Sequence, residues 1–249
     1  MTMNPFTGVE ITKLRSFILS RQKDEGGFAA VPSLPATIQD TFQALEQLTL
    51  LERYLPAQQP AAINKLGLLQ LVKRYRGEEG DSLPPRLLYY LTQIAAFAGE
   101  EISFSSPQPS ADESYENLYF LSQISSVQLP ENRQPGKQTW KLCRELYFGL
   151  LLKASVFGDS AILTTWLQAC QNGDGGFGFF PATTSYIENS HYCLAALALL
   201  GAGPENIKAA REYIVSCQTA AGGFARTGKA APFLDSSWHA LLALKALSE

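Results

Sequence analysis

The sequence writes Q-x-x-x-G-G-F three times, as QKDEGGF from Gln22, QNGDGGF from Gln171 and QTAAGGF from Gln218. Self-similarity at a long fixed period restricts the fold more than any other feature, because it marks a stacked architecture of supersecondary units. Phe177 and Phe224 lie 47 positions apart, and the 149 positions from Phe28 to Phe177 hold close to three such periods. Two degenerate units are therefore expected in between. Turn-rich breaks at Gly77 to Pro85 and Val127 to Lys137 fall at about the right places.

Five helix-loop-helix units follow. The first helices read ITKLRSFILSRQ, AAINKLGLLQLVKRY, ESYENLYFLSQISS, AILTTWLQACQ and IKAAREYIVSCQ. The second helices read ATIQDTFQALEQLTLLERY, PRLLYYLTQIAAFAG, QTWKLCRELYFGLLLKASV, YIENSHYCLAALALLG and DSSWHALLALKALS. Apolar residues recur at helical spacing, as in Leu14, Phe17 and Ile18, and no segment reads as a strand. EISFSSPQPSAD is the most linker-like stretch, but the period continues across it, so residues 1–249 are read as one all-α domain.

The motif has a structural reading of its own. Paired glycines supply positive φ and let the chain pass close to a neighbouring helix, the phenylalanine fills an apolar slot, and the glutamine bonds exposed groups at the next helix terminus.

Composition removes several functions. Twenty basic residues against 23 acidic ones, a formal charge of −3, give no electrostatic reason to bind nucleic acid or anionic lipid. MTMNPFTGVE lacks a basic stretch followed by an apolar run, and YCLAALALLGA is too short to span a bilayer, so a cytoplasmic protein without a transmembrane segment is expected. Cys143, Cys170, Cys193 and Cys217 form no C-x-x-C pair and are expected to be reduced and buried.

The only two histidines, His191 and His239, open the second helices of two successive repeats. Glu188 and Asp235 precede them by three and four positions, which places carboxylate and imidazole on one helix face. Two such helices side by side would present two imidazoles and two carboxylates, a ligand set suited to zinc or another divalent ion. The structural alternative is a hydrogen-bonded histidine near a capped helix start, since Ser185 to Glu188 has the S-x-x-E pattern of a capping box.

Q-x-x-x-G-G-F followed by a proline-bearing loop and SYIENSHYCLAALALL resembles the prenyltransferase and squalene oxidase repeat. The resemblance implies an α/α toroid, here of about five helical hairpins, with an inner and an outer ring around a central cavity. It is carried by the first, fourth and fifth units. In protein prenyltransferase β subunits of that family, Asp and Cys of a D-x-C-Y pattern and His of a D-x-Y-H pattern hold a catalytic zinc. Here Asn189 and His191 stand at the first two positions and His239 at the third. Arg226 and Lys229 resemble the family's R-x-x-K for diphosphate, and Phe179, Phe180, Tyr186, Tyr192 and Trp238 are candidates to line an isoprenoid tunnel. No D-x-D-D run of the class II terpene cyclases is present.

Two functions stay open on this reading: a prenyltransferase-like enzyme acting on an isoprenyl diphosphate, or a non-catalytic toroid that binds an apolar ligand or a protein partner. Five hairpins are one fewer than the six of a closed family toroid. An open edge, and with it a protein partner or a homo-oligomer, is therefore expected.

Overall fold

A computed structural model describes residues 4–55, 61–78, 82–104, 109, 113–124, 140–153 and 159–248. The expected break at Val127 to Lys137 lies outside the described residues, as do parts of the break at Gly77 to Pro85 and of EISFSSPQPSAD. Among the described residues there are ten α-helices and no strand, only isolated bridges. No helix of the described residues is long and apolar enough to cross a membrane.

The chain groups into two compact units. Ile11–Pro130 carries α1 (Ile11–Leu19), α2 (Ile38–Glu52), α3 (Lys65–Glu78), α4 (Pro85–Ala98) and α5 (Tyr115–Ile124). Helix α2 starts on Thr37, whose hydroxyl accepts from the Asp40 amide, and α4 starts on Pro85 and ends on Gly99 at φ 98°. Helices α2, α4 and α5 share an aromatic cluster, in which Phe42 stacks on Tyr90 at 3.9 Å and Phe120 meets Tyr90 edge-on at 5.8 Å.

The second unit, Glu131–Glu249 together with Met1–Glu10, carries α6 (Cys143–Leu151), α7 (Ser160–Gln168), α8 (Ile187–Leu199), α9 (Ile207–Ser216) and α10 (Leu234–Ala246). Helix α8 packs most extensively on α10 and α6, and also meets α7 and α9. It is buried on most sides, which explains its near-continuous apolar run after Tyr192.

The motif loops are superposable in their bonding. Phe28, Phe177 and Phe224 are each fully buried. Each phenylalanine carbonyl accepts from the residue ahead of the second helix, Thr37, Tyr186 and Phe233, at 3.1 Å. Each phenylalanine amide donates to a hydroxyl thirteen positions on: Thr41 at 2.9 Å, Ser190 at 3.1 Å and Ser237 at 2.9 Å.

The glutamines act as clasps on the next helix start. Gln171 donates to the Asn206 carbonyl at 3.0 Å and accepts from the Asn206 amide at 3.0 Å. With its amide turned to suit its neighbours, Gln22 donates to the Ala62 carbonyl at 3.3 Å and accepts from the Asn64 amide at 3.1 Å. Gln218 treats Glu10, the residue before α1, in the same way.

The first glycine of the first two pairs is required by contact as well as by φ. A Cβ on Gly26, at φ +101°, would lie 2.3 Å from the Gly67 carbonyl carbon of α3, and one on Gly175, at φ +89°, 2.2 Å from the Ala209 carbonyl oxygen of α9. All four cysteines are free and buried, as expected.

Candidate functional site

Helices α8 and α10 place their histidines one position out of register, at fourteen and fifteen residues past the motif phenylalanines. Packed side by side, they bring His191 Nδ1 and His239 Nδ1 to 2.9 Å. Both rings are buried. Tyr147 of α6, Tyr192 of α8 and Trp238 of α10 surround them, with centroids 5.6 Å from His191 for Tyr147 and Trp238 and 5.3 Å from His239 for Tyr192. Arg144 lies over Tyr192 at 5.7 Å.

A 2.9 Å approach of two imidazole nitrogens is a hydrogen bond, so one ring donates and the other accepts. Asp235 Oδ1 sits 3.8 Å from His239 Nε2. A proton on that nitrogen leaves His239 Nδ1 as the acceptor and His191 Nδ1–H as the donor, the arrangement with least buried charge. Burial, then the neighbouring His239, push the His191 imidazole well below its ordinary value, against a smaller pull from Asp235. His191 is therefore neutral near pH 7.

The other carboxylate goes elsewhere. Glu188 is taken by Arg226, whose Nε donates to Oε1 at 2.6 Å and whose Nη2 also reaches that oxygen. The guanidinium lies over the Tyr186 ring at 3.9 Å, and the Glu188 bond holds it firmly protonated. The Arg226 carbonyl in turn accepts from the Ile187 amide at the start of α8.

This corrects the capping-box reading. The cap of α8 is Tyr186, without a side-chain bond, because the Ser185 hydroxyl donates to Asp174 at 2.8 Å and Glu188 is committed to Arg226. A backbone carbonyl from the next repeat does the capping instead.

As a metal site, the four expected ligands divide. Zinc holds imidazoles at about 2.0–2.1 Å in tetrahedral array, which separates two ligand nitrogens by about 3.3 Å. The His191–His239 approach is shorter than that, Glu188 is bonded to a cation, and Asp235 lies on the far nitrogen of His239. Among the described residues no group of three or more His, Cys, Asp or Glu is placed to hold a metal ion. The residues as arranged do not fit a closed zinc ligand set.

The remaining candidates are scattered. Tyr192 and Trp238 belong to the histidine cluster and Tyr186 to Arg226, whereas Phe179 and Phe180 contact each other edge-on at 4.6 Å, with Phe180 and Lys229 exposed. The Phe179 carbonyl accepts from the Cys143 amide at 2.9 Å, tying that loop to the start of α6.

Two features escaped the reading of the sequence. Tyr147 completes the cluster from α6, in a repeat with no motif to align it. The second is the hydroxyls of Thr41, Ser190 and Ser237, for which the sequence does hold a signal: all three stand thirteen positions after a motif phenylalanine.

Among curated proteins none matches the chain in sequence. The family description that matches is the prenyltransferase alpha-alpha toroid domain, over residues 2–84 and 146–230, more than half of the chain. These segments contain all three Q-x-x-x-G-G-F loops and α8, and the chain belongs to the prenyltransferase alpha-alpha toroid domain family.

Proposed function

We propose that this protein binds an apolar, isoprenoid-like ligand against the aromatic side chains of α6, α8 and α10, without transferring it through a metal. The observation that supports this reading is the direct His191–His239 bond amid Tyr147, Tyr192 and Trp238. A neutral His191 within aromatic rings suits a hydrocarbon chain, which needs shape and apolar area rather than charge. Arg226 spends its charge on Glu188, leaving the exposed Lys229 as the only member of the R-x-x-K pair without that commitment.

The test is a titration with an isoprenoid alcohol and with its diphosphate, read by tryptophan fluorescence in the parent and in Trp238→Phe. Similar affinity for the two ligands, with the signal lost in the variant, is the expected result. A diphosphate that binds more than tenfold tighter, and loses that advantage in Arg226→Ala, would move the assignment to an isoprenyl diphosphate site. Absence of binding by both would leave a scaffold for a protein partner.

A second reading, a zinc-dependent prenyltransferase, is favoured by one feature: two imidazole nitrogens converge on a single point from helices that carry Glu188 and Asp235. It requires the pair to open by about half an ångström and a carboxylate to leave its present partner. Elemental analysis of the parent and of a His191→Ala, His239→Ala double variant separates the two readings. Stoichiometric zinc in the parent alone supports the enzyme.

A further inference from the structure

Asn189 is 7% exposed, yet among the described residues its Nδ2 has no hydrogen-bond acceptor. A buried amide donor left unmade is costly and rare, so it asks for a partner that the fold itself does not supply.

The first repeat shows what α8 lacks. Asp40 stands twelve positions past Phe28, as Asn189 does past Phe177, and its carboxylate accepts from the hydroxyl of Thr37, the cap of α2, at 2.7 Å. The cap of α8 is Tyr186, which makes no side-chain cap bond and lies under Arg226. Asn189 is thereby released from capping.

Its position on α8 sets it beside the aromatic cluster. Asn189 and Tyr192, three positions apart, share one face of the helix. That face meets α6, since the Tyr192 ring lies 5.6 Å from the Tyr147 ring and 5.7 Å from the Arg144 guanidinium. Helical side chains lean toward the N-terminus, so the Tyr192 ring tips back over the turn that carries Asn189. The unmade donor stands at the edge of the rings against which the apolar ligand is placed.

We infer that the ligand of this cluster carries an uncharged oxygen at one end, as in an alcohol, ether or carbonyl, and that Asn189 Nδ2 donates to it. The inference rests on the apolar-ligand reading above, and it makes Asn189 the residue that separates an oxygen-bearing isoprenoid from a plain hydrocarbon. An amide supplies a hydrogen bond without a charge. The neighbouring His191 is itself neutral, so the surroundings of the head group favour an uncharged acceptor.

The test compares a short isoprenoid alcohol, its methyl ether and the hydrocarbon lacking the oxygen, read by tryptophan fluorescence in the parent and in Asn189→Leu. The parent is expected to bind alcohol and ether about tenfold tighter than the hydrocarbon, the effect of one neutral hydrogen bond in a buried site. Asn189→Leu, with helical circular dichroism intact, is expected to bind all three alike. Should that variant fail to fold, Asn189→Asp, which puts an acceptor in place of the donor, is expected to lose the same advantage. Equal binding of the three by the parent overturns the inference and leaves the apolar-ligand reading standing. An advantage for the alcohol without the ether would reverse the direction of the bond, and an advantage that survives in the variants would place the donor elsewhere; either result overturns the assignment to Asn189. Binding of none of the three removes the reading and the inference together.

Discussion

His191 and His239 face each other through their Nδ1 atoms at 2.9 Å, each buried, one from α8 and one from α10. The bond joins the two most extensively packed helices of their unit, so the protonation of either ring bears on the packing of both. One proton between the nitrogens is cohesive. A second sets two N–H donors against each other and makes one ring cationic inside an aromatic shell, where desolvation penalises the charge.

Stability is accordingly predicted to fall toward acid. The folded His191 takes up its proton well below 6.5, its ordinary value, whereas the unfolded ring takes it up near 6.5. Between those two values the unfolded chain binds more protons, so unfolding free energy rises with pH, by at most about 1.4 kcal/mol per pH unit for one proton. The contribution is fully present above pH 6.5 and is lost progressively below it. Urea midpoints from pH 5 to 8 should show this slope in the parent and a flatter one in His191→Phe; equal slopes would assign acid sensitivity to other groups.

Ser190→Ala is predicted to cost about 1–3 kcal/mol. It strips the buried Phe177 amide of its acceptor and leaves a donor that water does not reach. Ser237→Ala removes the matching bond to Phe224 and should cost a similar amount. Thr165→Ala, which loses an exposed hydroxyl bonded to the Ala161 carbonyl within α7, is the control and should change the urea midpoint little.

Repeats with a written motif were the legible part of the fold. Gln22, Gln171 and Gln218 announce a loop whose hydrogen bonds are local and therefore encoded in nearby letters, so period alone located the helices around them. The site was legible only in its membership. His191 and His239 were singled out, but their one-position offset, which brings nitrogen against nitrogen, arises from how α8 and α10 pack. Glu188 lay at correct helical spacing for a shared site, yet Arg226, 38 positions on, outbid it with a charge-assisted bond. Spacing within one helix reports which residues share a face, whereas the partner across the interface decides what they bind.

Gly175→Ala is predicted to be among the most damaging single-methyl changes in the chain. The added carbon would meet the Ala209 backbone of α9 at 2.2 Å, and the residue would have to hold φ +89°. Backbone has no flexible end to retreat, so α9 must move and Gln171 must release Asn206, for a loss of several kcal/mol. Gly173→Ala, two positions earlier with nothing within 4 Å of its new carbon, tests the specificity of the effect. Thermal unfolding of both should separate by roughly ten degrees or more.

Gln171→Ala tests whether the clasp acts as a unit. The amide side chain satisfies both the carbonyl and the amide of Asn206, which is itself the cap of α9 through its bond to the Ala209 amide at 2.9 Å. Loss of the clasp therefore also frees the cap, and the combined cost should exceed the roughly 1 kcal/mol of either contact alone. A double-mutant cycle with Asn206→Ala, which removes the cap and keeps the backbone groups that Gln171 bonds, measures this: coupling near zero would mean that clasp and cap act independently, whereas coupling above about 0.5 kcal/mol makes the motif glutamine the residue that carries order from one repeat into the next helix.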